Sequence, residues 1–164
     1  MDRRRFLTFA LAAGAAAALP GRWARADPRA LRVGVDTCPY CSMPVIDGRF
    51  AAQAVLSGGR VLTYDAIECL LDHLAGHGPP PPDAAEAWLA DRVASGRETV
   101  AWLAAEEAVL LHHPRLRTPM GGGLAAFAQA AEARAFAEAN RLDGAETLSW
   151  DDARAVTAPW VPPY

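Results

Sequence analysis

Cys38-Pro39-Tyr40-Cys41-Ser42-Met43 is the stretch of this chain best equipped for chemistry. Two thiols with two residues between them, Pro39 bending the chain there, suit three uses. The first is thiol–disulfide exchange, which needs the first thiolate at a helix N-terminus that lowers its pKa. Pro44, Val45, Ile46, Asp47 and Gly48 follow and leave no room for such a helix. The second is zinc. Cys69 and His73 lie four residues apart, on one face of a helix, and with Cys38 and Cys41 they make three thiolates and one imidazole. Cys69 reads more simply as a small buried hydrophobe, with His73 solvated. The third is a soft metal: Met43 lies two residues beyond Cys41, so an extended chain sets both sulfurs on one face. Thiolate with thioether selects Cu(I) over harder ions.

Met120 is the other unusual methionine, since it precedes Gly121-Gly122-Gly123 and lies on no helix face. Glycines allow close backbone approach and predict a mobile loop. His112 and His113 lie just upstream, and neighbours in a strand point to opposite faces, so one at most reaches the same ion. Three cysteines are an odd count for a disulfide framework, and metal binding would protect the third thiol. The sequence has no nucleotide loop, no defensible Ser-His-Asp order and no strong carboxylate pair, so no enzymatic activity is expected.

The elements that must position these residues read as follows. Residues 31–35 alternate as a strand. Residues 50–56 and 60–63 flank Ser57-Gly58-Gly59 as a hairpin. Tyr64 reads as core, and Asp65 as the cap of a helix over 66–74, where Ile67, Leu70, Leu71 and Leu74 recur at helical spacing. Residues 76–82, with four consecutive prolines, form a stiff connector between two halves. Residues 83–94 favour helix by propensity. Residues 109–113 read as a strand, 124–140 as an Ala-rich helix, 145–148 as a strand and 150–156 as a last helical turn or two. Glu106-Glu107 reads as a solvated turn, and the tail 159–164 as loose.

At the N-terminus, Arg3-Arg4-Arg5-Phe6-Leu7 and an Ala-rich run precede Ala24-Arg25-Ala26. The run is short of the about 20 apolar residues of a membrane helix and has the order of a secretory signal. Residues 1–26 are therefore expected to be a twin-arginine signal peptide cut after Ala26, which places the protein in the periplasm with no membrane span in the mature chain. The leader holds five arginines and one aspartate, so the remainder, 27–164, is more acidic than the formal −3 of the whole chain. An acidic domain argues against nucleic acid as a partner.

Three blocks, taken together, resemble the NosL family: Cys38-Pro-Tyr-Cys41-Ser-Met43, Gly59-Arg-Val-Leu-Thr-Tyr64-Asp65 and Pro119-Met120-Gly-Gly-Gly-Leu-Ala-Ala-Phe127. Their order and spacing match, and the likeness runs from about residue 36 to 153. NosL is the accessory protein of nitrous oxide reductase, a periplasmic copper chaperone. The resemblance implies an α+β fold of two small ββα-type halves, about 33–76 and 84–156, packed into one domain. It implies Cu(I) bound by Cys38, Cys41, Met43 and Met120, with His112 or His113 as further candidates. It also implies delivery to nitrous oxide reductase or its maturation and transport complex, and a strand near 88–93 where propensity favours helix. Many members carry a lipid-anchoring Cys and some a His/Met-rich tail; this chain has neither. A structural zinc module or a CxxC oxidoreductase are the alternatives.

Overall fold

The computed structural model describes residues 26–162; the signal peptide expected over 1–26 lies outside them except for Ala26. The architecture is α+β, as expected. Strands β1 (Ala52–Leu56) and β2 (Val61–Tyr64) form an antiparallel hairpin, followed by helix α1 (Ile67–Leu74). Strand β3 (Ala84–Ala90) then pairs with the other side of β1, and β4 (Trp102–Ala104) pairs with β3, giving the order β2-β1-β3-β4. The chain repeats the plan with β5 (Val109–His112), β6 (Leu124–Phe127), helix α2 (Ala130–Ala139) and β7 (Glu146–Leu148), in the order β6-β5-β7. A short helix, α3 (Trp150–Ala155), closes it.

The first unit is thus ββαββ and the second ββαβ, each with its first strand inside the sheet. The changeover between sheets falls at the 3-10 turn Ala105–Glu107. It does not fall at the proline run, which lies inside the first unit between α1 and β3. One core joins the units: Tyr64, Ile67 and Leu70 of the first pack in the same cluster as Leu110, Leu124 and Trp150 of the second. Leu111, Phe127 and Ala133 form a smaller cluster beneath α2.

Several expectations are corrected. Residues 124–127 are strand, not helix. All four are buried and pair with β5, so tertiary burial overrides the helix propensity of alanine. The same holds for β3 in place of a helix over 83–94. Residues 33–35 form a turn, and only the bridge Thr37–Pro44 pairs there. Asp65 is not the cap of α1; Ala66 holds that position, with no side-chain cap. The tail is not loose through Pro162. The backbone N–H groups of Trp160 and Val161 donate to the Asp72 carboxylate, both at 2.8 Å, and Val161 is buried.

Candidate metal centre

The segment before β1 folds back on itself, and that fold carries the first two thiols. Gly34 N–H donates to Val45 O and Val45 N–H to Asp36 O, both at 2.8 Å. Within this narrow hairpin Cys38 N–H bonds Met43 O and Ser42 N–H bonds Cys38 O, both at 2.9 Å. Ser42 takes a left-handed φ of 61°, which ends the turn and sends Met43 outward. No helix follows Cys41 before the 3-10 turn Gly48–Phe50.

Helix α1 supplies the third thiol. Its first turn packs over the hairpin, and the sulfurs of Cys38, Cys41 and Cys69 lie within 4.8 Å of one another. Cys38 and Cys69 are fully buried and Cys41 is partly exposed. The Cys38 sulfur accepts from the Cys69 thiol and from the backbone N–H groups of Cys41, Asp65 and Tyr40. These contacts outweigh burial and bring its pKa down to about 5. Cys69, as donor to Cys38 and buried beside it, is pushed up. Burial raises Cys41 to about 11. The surroundings thus favour the anion at Cys38 and disfavour it at Cys69 and Cys41. Backbone amides aimed at one atom solvate its negative charge without a counter-ion.

The Cys41 side of the triangle opens on a cavity of about 950 Å³, which Met43, Met120, Tyr40 and His77 also line. Met43 stands 55% exposed on its rim. Met120 is buried in the wall, on a loop that is packed in place, contrary to the mobile loop expected. Thr118 Oγ1 donates to the buried Glu68 carboxylate of α1, and Gly123 N–H donates to Thr118 Oγ1. A Cβ at Gly122 would collide with Glu68 and come within 2.7 Å of Trp160 O. Here glycine serves close approach to α1. Burial raises the Glu68 pKa, which is consistent with a carboxyl held away from water.

The remaining candidates sit elsewhere. Tyr64 Oη meets His73 Nδ1 at 3.0 Å, and His73 Nε2 meets Pro80 O at 2.9 Å. A carbonyl only accepts, so Nε2 carries the proton and both ring nitrogens are used. His73 is not placed as the fourth ligand of a zinc set. His113 is engaged in the same way, by Asp143 O and Arg115 N–H. His112 stands edge-on to Trp160, ring centroids 5.2 Å apart, outside the thiol group and the cavity lining. Asp65 is buried behind the thiols, where desolvation first and the Cys38 charge second raise it to about 6.

Sequence reasoning missed Glu68 and Asp72, and favoured Cys69 as a small buried hydrophobe. One signal was available: Glu68/Asp72 and Cys69/His73 are two i,i+4 pairs on an eight-residue helix. Such a helix has little solvent face to give them, so their polar ends must meet partners inside.

Among solved structures, the crystal structure of the copper chaperone NosL from Shewanella denitrificans superposes with a TM-score of 0.64 at 17% identity. The match covers 77% of this chain and 95% of that one. At that identity the likeness concerns the fold. No curated protein matches the sequence. The NosL family model matches residues 33–156, most of the chain, and the protein belongs to that family.

Proposed function

We propose that this protein is a periplasmic Cu(I) chaperone, exported by the twin-arginine route, that passes copper to nitrous oxide reductase or its maturation complex. The observation that carries the reading is one wall of soft donors: three thiols within 4.8 Å, opening through Cys41 onto a cavity lined by two thioethers. Cys41, Met43 and Met120 take the ion on the cavity side, and Cys38 is the thiolate behind them. Soft sulfur in this number suits Cu(I). The solved relative is itself named a copper chaperone. The protein acts by binding and ligand exchange: a recipient's ligands enter the cavity and displace the sulfurs one at a time. Zinc in a Cys3His site would need His73 to give up one of the two hydrogen bonds that occupy its ring nitrogens.

The test is anaerobic competition for Cu(I) against a coloured chelator. Met43→Leu with Met120→Leu should weaken binding of the cavity-side ion at least tenfold, about 1.4 kcal/mol, and Cys41→Ser more. Unchanged affinity for that ion in the double variant would remove the two thioethers from the site. Tight zinc binding without Cu(I) capture would replace the chaperone reading with the zinc module.

A further inference from the structure

The thiol triangle has two unlike sides. Cys38 and Cys69 are fully buried and line no part of the cavity, whereas Cys41 lines it together with Met43 and Met120. Cys41 therefore belongs to two ligand sets at once, one made only of thiols with Cys38 and Cys69 fully buried, the other made mostly of thioethers and open. The inner set is dimensioned for an ion: a trigonal ion about 2.3 Å from each sulfur sets the sulfurs about 4 Å apart, and the three sulfurs already lie within 4.8 Å of one another. The outer set is neutral apart from Cys41 and borders about 950 Å³ of space for an incoming partner group.

We infer that the protein binds two Cu(I) ions in series, an inner one on Cys38, Cys41 and Cys69 and an outer one on Cys41, Met43 and Met120, with the Cys41 thiolate bridging them. The inference rests on the Cu(I) reading and adds Cys69 to it. The inner ion, held by anionic sulfur away from water, is the tight one. The outer ion, held mainly by neutral thioethers, is the exchangeable one that a recipient meets first. Each thiol that ligates gives its proton to the buffer, and copper stays Cu(I) throughout, so no oxidant or reductant enters. When the outer ion leaves, Cys41 can follow the inner ion outward as the other two thiols are reprotonated.

Anaerobic Cu(I) titration of the purified protein, read by native mass spectrometry and by the emission of water-shielded Cu(I) thiolates, tests this. Wild type should saturate at two equivalents, in a tight step and then one at least tenfold weaker. Cys69→Ser should lose the tight step and the emission but keep one weak equivalent. Met43→Leu with Met120→Leu should keep one tight, emitting equivalent, and because both side chains border the cavity this variant tests the series even if Cys69→Ser fails to fold. Saturation of wild type at one equivalent, or Cys69→Ser titrating like wild type, would overturn the series and leave the chaperone standing. No Cu(I) bound by wild type would overturn both.

Discussion

Asp36 anchors the hairpin that bears the first two thiols. Its carboxylate accepts from Arg29 Nη1 and Arg32 Nη2, both at 2.7 Å, and from Arg32 Nε and backbone N–H. Burial alone would raise its pKa, but the two arginines outweigh it and hold the carboxyl at about 2. A folded-state value below the unfolded one means stabilisation that is complete above about pH 4 and lost as pH falls through about 2. Asp36→Asn should cost about 1–2 kcal/mol at neutral pH, discounted because Arg32 is largely exposed. Urea midpoints followed from pH 6 to pH 2 should fall for wild type and stay flatter for the variant; parallel curves would deny Asp36 this role. At this scale the sequence was partly legible. Cys38, Cys41 and Met43 are contiguous, so their types alone bring soft donors together. Cys69 joins only because α1 packs over the hairpin, which no local spacing encodes.

Helix α1 organises the site as an element. Glu68 holds the Met120 loop, Cys69 completes the thiol triangle, and His73 locks Tyr64 to the proline run. Asp72 receives the tail and, at 3.4 Å, the Tyr40 hydroxyl. Tyr40 and the tail residues Pro159, Val161 and Pro162 are walls of the cavity, so one carboxylate ties both walls together. Asp72→Ala strands two backbone N–H groups, at a cost of about 1–3 kcal/mol each where they stay buried. The strap should then fray. Limited chymotrypsin digestion followed by mass spectrometry should show cleavage after Trp160 several-fold faster than in wild type, with the rest of the chain protected. An unchanged rate would mean that packing of Val161 alone holds the tail. The helix itself was legible from its apolar spacing. The strands β3 and β6 were not, because alanine-rich segments read as helix until the sheet that buries them is known.

At the scale of the whole molecule, two like units share one core built mainly of aliphatic and aromatic side chains, with Cys38 and Cys69 among its members. No helix among the described residues is long and apolar enough to cross a membrane. Metal is accordingly a passenger of this fold rather than its keystone. Metal-free protein under reducing conditions should unfold in one cooperative urea transition, and Cu(I) should raise the midpoint by mass action, about 2.7 kcal/mol at a hundredfold excess over Kd. A structural zinc domain would lose its fold with the metal, so a flat, non-cooperative curve for the metal-free protein would favour that reading.

Tyr64 and His73, nine residues apart and joined by a hydrogen bond, have a counterpart in the second unit: Phe127 and Phe136, at the same spacing and with ring centroids 5.3 Å apart. The strand–helix corner is one scaffold with two fillings. Where the filling is polar, the helix position that follows Glu68 carries a thiol; where it is a pair of phenyl rings, the corresponding position carries Glu132 on the surface of α2. The two units thus fill the same corner differently, the first with a hydrogen-bonded polar pair and the second with two apolar rings.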